Sequence, residues 1–468
     1  MINRIKIIGL FVFCTLSLSC RSGNKITEPG DKFVGKDGEV KMVILDPGHF
    51  HADLLFKSSN KIINDSVYVY APQETELFQH IHRIESYNYR AENHTSWKES
   101  IYSEDDFFQK MLSEKKGNVV VLAGNNQKKA DYINQSINAG FNVLSDKPMA
   151  INKEQFKMLK QSFDAARKKN MLLYDIMTER YDILNIVEQE LIQNKKLFGE
   201  VQNGTAKEPA VSVESVHHFY KNVSGNALVR PAWYYDVEQQ GEGIVDVTTH
   251  LIDIVNWLCF PDVALKYTKD VTMLSAKHWT TDLTLQQFSQ STQLRQFPDY
   301  LTKYVSDSLL KVYANGEIHY KVKKVNIALK VIWNYEAAAG SGDTYSSIIK
   351  GDRAICKILQ NKEQSFVPQL YIQKAENADQ KEFDEALDQT IKKLQQTYPF
   401  ISLKKEGDQI KIDIPVEKRE GHETHFSRVA DKFFGFLINR NMPAWEIPNM
   451  LTKYYITTSA QDMAKNSK

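Results

Sequence analysis

The sequence predicts an α/β protein in two parts: a doubly wound parallel sheet first, then an α+β domain with a large, mostly antiparallel sheet. Three observations carry this. From Lys41 onward, short unbroken apolar runs alternate with helix-like stretches, and strands apolar on both faces belong to parallel sheets covered by helices on both sides. After about residue 178 the runs lengthen and fill with Val, Tyr, Ile and Thr, the residues of pleated, half-buried strands. The chain has 468 residues, 42% hydrophobic and 25% charged, which is room for more than one core. A net charge of +1 leaves no basic footprint, so no nucleic-acid partner is expected.

Taken in order, residues 1–19 read as a signal peptide. Arg4 and Lys6 give a basic start, Ile7–Leu16 is largely apolar, and Ser17-Leu18-Ser19 precedes Cys20. The apolar stretch is too short for a comfortable membrane span. The segment resembles a bacterial lipoprotein signal, in which Cys20 becomes the lipidated first residue. That implies an exported protein, anchored in a membrane through Cys20 and facing the periplasm or cell surface. Residues 20–40 carry little apolar pattern and read as a tether. Beyond Cys20 only Cys259 and Cys356 remain, so no disulfide framework is expected.

Residues 41–178 form the first domain. Strands are expected at Met42–Leu45, Val67–Tyr70, Val119–Ala123, Phe141–Leu144 and Met171–Ile176, with helices over 77–84, 128–138 and 152–168. Residues 179–468 form the second, with a helix over 181–194 and strand-like stretches at 211–220, 318–334, 344–350, 353–359, 367–373 and 400–414. Further helices are expected over 243–258, 379–396 and 426–439. Ligands of such pairs bind at the C-terminal strand ends, between the domains.

Three segments carry chemistry. The first turn reads Asp46-Pro47-Gly48-His49-Phe50-His51-Ala52. A dinucleotide fingerprint wants Gly-x-Gly-x-x-Gly here, so that backbone can approach the pyrophosphate; Gly48 fills the first place, but Phe50 and Asp53 fill the others. Glu74 is the nearest candidate for an acidic ribose ligand. His49 and His51 could ligate a metal, but they have no nearby Cys or carboxylate partner in the sequence, and no metal is expected. The second segment runs from Val119 to Pro148 and ends Asp146-Lys147-Pro148. A lysine at the mouth of a parallel sheet can pin a hydroxyl oxygen as its carbon loses hydride. The third is Gly241-Glu242-Gly243 followed by Asp246, His250 and Asp253, whose spacing puts all three on one helix face. Such a triad needs internal bonds or a ligand to be buried; a carboxylate and a histidine suit general-base work on a sugar hydroxyl.

The Asp146-Lys147-Pro148 block and the GxGxxxDxxxHxxD block about a hundred residues later resemble the glucose–fructose oxidoreductase/inositol dehydrogenase (Gfo/Idh/MocA) family of NAD(P)-dependent oxidoreductases, in a secreted branch of it. The resemblance implies a Rossmann-type first domain and a catalytic set of Lys147, Asp246 and His250. It also implies a cis Lys147–Pro148 bond. Gly48, His49, Phe50, His51, Ala123, Asn125, Asn126, Asp146 and Lys147 would line NAD or NADP, with NAD favoured. The family usually has Glu where Asp146 stands, and Thr-Pro-Asn-x-x-His where this chain has Gly124-Asn125-Asn126-Gln127-Lys128-Lys129.

A mono- or oligosaccharide substrate is expected against His218, Trp233, Tyr234, Asp246 and His250, with Trp333, Tyr335 and the 422–425 loop as further candidates. The expected activity is oxidation of a sugar CH–OH group with a tightly retained cofactor. Two alternatives stay open: glycosidic cleavage through transient oxidation, and a glycan-binding lipoprotein that has lost the cofactor. A metal hydrolase using His49, His51 and the 422–425 loop is a third; His422-x-x-His425 lacks the spacing of a zinc protease. A homo-oligomer is possible for the family.

Overall fold

A computed structural model describes residues 32–223 and 226–467. The signal peptide, Cys20 and most of the tether therefore lie outside the described residues. The first part builds one parallel sheet from β1 (Met42–Leu45), β2 (Ser66–Tyr70), β3 (Lys98–Tyr102), β4 (Val119–Leu122), β5 (Asn142–Asp146) and β6 (Leu173–Ile176), in the order β3-β2-β1-β4-β5-β6. The crossovers carry α1 (His51–Leu54), α2 (Thr75–Tyr89), α3 (Phe107–Glu114), α4 (Lys129–Ala139) and α5 (Lys153–Lys169). Every residue of β1, β4, β5 and β6 is buried, as strands covered on both faces must be. Strand β3 escaped the sequence reading because Lys98-Glu99-Ser100-Ile101-Tyr102 is an edge strand without a buried residue.

The chain then runs through α6 (Ile183–Gln193), β7 (Val211–Tyr220), a small hairpin of β8 (Asn222–Val223) and β9 (Asn226–Ala227), α7 (Thr248–Cys259) and α8 (Tyr267–Asp270). Next come β10 (Val271–Leu283), α9 (Leu285–Thr292), α10 (Asp299–Thr302), β11 (Val305–Ser306), β12 (Leu309–Val322), β13 (Val325–Glu336), β14 (Thr344–Lys350), β15 (Ala354–Gln360) and β16 (Gln369–Lys374). The last elements are α11 (Gln380–Gln395), β17 (Ser402–Glu406), β18 (Gln409–Asp413), α12 (His422–Asn439) and α13 (Glu446–Asn466).

The second sheet has the order β10-β12-β13-β7-β14-β15-β16-β18-β17, with β11 beside β12. Only the β13–β7 pair is parallel. The stretches 318–334 and 400–414 are each a hairpin rather than one strand: the chain reverses at Lys323-Lys324 and at Glu406–Gln409. Residues 422–425, expected as a loop, are the first turn of α12.

Neither core respects the order of the chain. Phe426, Val429, Phe433 and Leu437 of α12 and Met450 and Tyr454 of α13 pack into the first sheet's core, while Ile456, Ala460 and Ala464 of α13 join the second. Charges are buried at this seam. Lys453, 0% exposed, puts its Nζ 2.6 Å from Asp175 and 2.9 Å from Asp253. Arg180 forks onto both Asp253 oxygens at 2.7 Å and reaches Glu446 at 3.0 Å. No helix among the described residues is long and apolar enough to cross a membrane.

Candidate active site

The site lies where β1, β4, β5 and β6 end, facing the turn that opens α7. Asp146 closes β5, and the next peptide, Lys147–Pro148, is cis, as the resemblance implies. The Lys147 side chain is 13% exposed, and its Nζ lies 2.6 Å from Asp246 Oδ1. Burial opposes the ammonium charge, but the carboxylates of Asp246 and Asp146 outweigh it and hold Lys147 above the usual lysine range. The second oxygen of Asp246 accepts from Gln240 Nε2 at 3.0 Å. Asp246 itself sits in the helical turn just before α7, which begins at Thr248.

His250, in the first turn of α7, has a buried Nδ1 without a hydrogen-bond partner among the described residues. Burial, then the charge of Lys147, lowers its pKa well below the ordinary histidine value, so the ring is neutral at physiological pH and can accept a proton. Its nearest carboxylate is Glu179, 4.0 Å from Nδ1, in the loop after β6. Burial of the carboxyl end, then Asp182, raises Glu179 to about 7, although 38% of the side chain stays open. The third member of the expected triad does not belong here: Asp253 is taken up by the Arg180–Lys453 network. Three residues at helical spacing share a face only approximately, and the strongest buried cations captured the last of them.

The turn after β1 is built by close approach. Gly48 and His49 donate their backbone N–H groups to Ala123 O at 3.1 and 3.0 Å. A Cβ on Gly124 would fall 2.4 Å from Asp46 O, and one on Gly48 would fall 3.1 Å from Gly124 Cα, so glycines at both positions let the two strand ends close. Asn125 donates to Gln239 Oε1 at 2.7 Å and Asn126 to Gln240 O at 2.7 Å, tying the first domain to the segment carrying Asp246. Lys129, buried, donates to Asn126 Oδ1 at 2.5 Å and to Asp146 O at 3.3 Å; burial brings it down to about 8. His51 lies 2.9 Å from Asp146 Oδ2, and the rings of His49, Phe50 and His51 pack on one another.

A cavity of about 270 Å³ opens beside this turn, lined by Asp46, Gly48, Glu74, Asn125, Trp233 and Tyr300 among others. It lies across the ends of β1, β2 and β4, where a doubly wound sheet takes the adenosine end of a dinucleotide. The polar walls and the glycine at its mouth fit that ligand. Trp233 thus stands on this side, donating to Glu76 Oε1 at 3.0 Å. Tyr234 lies under the Arg230 guanidinium, whose carbon is 4.5 Å from the tyrosine ring centroid, with the Trp333 ring 6.0 Å away. His218 pairs with Asp343 at 2.8 Å, and Lys221 with the other Asp343 oxygen at 2.9 Å. His422 comes in from α12, its ring 5.8 Å from that of His51; Tyr335, by contrast, is tied to Gln290.

Glu179, Lys129, Gln240 and Asp343 were not singled out in the sequence. Glu179 was within reach of the same logic that found Lys147, since both follow the C-terminal end of a parallel strand. The others come together only through tertiary contacts.

Residues 63–174 match the model of the oxidoreductase family with an NAD-binding Rossmann fold, and residues 187–465 match the putative oxidoreductase C-terminal domain. A crystal structure of a putative oxidoreductase from Parabacteroides merdae is 48% identical, covering 93% of this chain and 99% of that one, with a TM-score of 0.91. A 3-ketoreductase from Actinomadura kijaniata, solved with NADP and TDP-benzene, shares the fold at 11% identity, covering 91% and 97%, with a TM-score of 0.53. An uncharacterized oxidoreductase from Schizosaccharomyces pombe is 29% identical over 124 residues, so the match spans 26% of this chain and 28% of that protein.

Proposed function

The chain belongs to the glucose–fructose oxidoreductase/inositol dehydrogenase family of NAD(P)-binding oxidoreductases and carries that family's C-terminal oxidoreductase domain; from that premise we propose that it oxidises a ring hydroxyl of a sugar or glycoside. The observation that carries this reading is the Lys147–Asp246 pair at 2.6 Å beside the neutral His250, whose Nδ1 has no hydrogen-bond partner among the described residues. His250 takes the hydroxyl proton. Lys147, held by Asp246, donates to the oxygen as it becomes a carbonyl. A nicotinamide dinucleotide, when bound, accepts the hydride from the same carbon. Gly48, Asn125 and Asn126 would hold it along the strand ends, with Ala123 and Asp146 behind them and His49, Phe50 and His51 at the turn. The sugar would lie against His218, Tyr234 and Asp246.

Glu74 and Glu76 on the cavity wall repel a ribose 2′-phosphate, which supports NAD over NADP. On the sequence of residues 1–20, we propose that the protein is exported and anchored through a lipidated Cys20, where free dinucleotide is scarce and a retained cofactor is needed.

The test is the mass and absorbance of what acid releases from the purified protein, followed by turnover on a panel of glycosides. Stoichiometric NAD(H) is expected, and Lys147→Met should keep it while cutting kcat/KM by roughly 10²–10⁴. An empty protein that also fails to bind added dinucleotide would refute the reading and favour a glycan binder. One observation supports a second reading, glycosidic cleavage through transient oxidation: Glu179, raised to about 7, supplies the extra acid–base group that elimination next to a new carbonyl requires. Release of free sugar without net NADH would distinguish it.

A further inference from the structure

The sequence offers His49 and His51 without a carboxylate to complete a ligand set. The fold supplies one from ninety-five residues away. His49, His51 and Asp146 each present a ligand atom, and all three atoms lie within 4.8 Å of one another. The cluster is sheltered: the His51 and Asp146 side chains are 12% and 7% exposed. We propose that His49, His51 and Asp146 form a binding site for a borderline divalent transition ion of the zinc class. The inference goes beyond the oxidoreductase reading and does not rest on it.

The nearby cations do not already consume the carboxylate. Lys147 Nζ is bonded to Asp246, and Lys129 Nζ to Asn126 and to the backbone carbonyl of Asp146. The Asp146 carboxylate is left with the Lys147 backbone N–H at 2.9 Å on one oxygen and His51 Nδ1 at 2.9 Å on the other. An ion would exchange the His51–Asp146 hydrogen bond for two metal–ligand bonds and leave the backbone contact, which orients the carboxylate, in place. Two imidazoles and a single carboxylate select Zn²⁺, Co²⁺, Ni²⁺ or Cu²⁺ over Mg²⁺ or Ca²⁺, which want more oxygen ligands and more negative charge. Three protein ligands leave a fourth position for water or a hydroxyl. The His422 ring, 5.8 Å from that of His51, walls the site from α12.

The experiment uses untagged full-length protein stripped with a chelator and desalted. One equivalent of Zn²⁺ or Co²⁺ is added, excess is removed, and bound metal is counted by plasma mass spectrometry; Co²⁺ also reports ligand number through its visible absorption. One ion per chain is expected. His51→Ala and Asp146→Asn should each weaken binding more than tenfold, whereas His319→Ala, at the half-buried pair with Glu317 on β12, should not. His49→Gln, closer in shape, covers the case in which His51→Ala fails to melt cooperatively. No retained ion, or retention unaffected by these variants, overturns the proposal. Dinucleotide is assayed in the same stripped samples. Protein that holds dinucleotide but no ion defeats this inference alone; protein that holds the ion but no dinucleotide defeats the oxidoreductase reading alone.

Discussion

Glu188 on α6 is 0% exposed, and neither carboxyl oxygen has a hydrogen-bond partner among the described residues. Burial alone raises it from 4.5 to about 8. The folded state therefore holds a proton that the unfolded chain releases above pH 4.5. The contribution to stability is undiminished below pH 4.5, falls as pH rises by about 1.4 kcal/mol per unit, and levels off above about 8. Between pH 5 and pH 8 the effect is about 4 kcal/mol. Glu188→Gln removes the slope. The cost of burying an amide there is nearly constant with pH, so it cancels when two pH values are compared. Urea unfolding of both proteins at pH 5, 6.5 and 8 measures the difference. The variant should gain on the parent by a few kcal/mol from the lowest pH to the highest. Parallel curves, with a gap that does not change with pH, would refute the argument.

Three further outcomes follow from the geometry. Lys453→Met leaves Asp175 and Asp253 buried with one counter-charge fewer and should cost about 3–5 kcal/mol in chemical unfolding; adding Asp175→Asn should recover part of it. If Glu179 acts as a base, activity should rise with pH through about 7, and Glu179→Gln should flatten that limb of the kcat/KM profile while leaving dinucleotide retention intact. Replacing Glu74 and Glu76 with Gln should shift the NAD/NADP preference toward NADP by about tenfold, read as a ratio of dissociation constants, because two like charges leave the cavity wall.

The parallel sheet was legible because its strands are short, continuous and apolar, a pattern that few other environments produce. The second sheet was legible in part. Its long strands showed in their Val, Tyr and Ile content, but β10, with all but two positions exposed or half-exposed, gave no clear alternation. Helix α13 was missed for a different reason: Thr452, Lys453, Thr457, Thr458 and Gln461 are polar and all buried, so the helix has no apolar stripe to read. At the site, Lys147, Asp246 and His250 could be named because they stand in the Asp-Lys-Pro and GxGxxxDxxxHxxD blocks that carry the family resemblance. That Asp253 serves the seam while Gln240 serves Asp246 depends on which elements meet. Spacing along the chain carries no such information.

The return of α12 and α13 to the first sheet bears on how the molecule is made. The strands that open the chain acquire their final cover only from Phe426 onward, and Asp175 and Asp253 wait for Lys453. Domains that are contiguous can fold as each leaves the ribosome; here the earliest-made half stays unfinished until the first half of α13 has been synthesised. A chain stopped before α13 would carry the glycine turn, Lys147 and His250, yet keep an open apolar flank and an Asp175 without its lysine beside them. The first sheet and the candidate site beside it are thus finished only once α13 is in place.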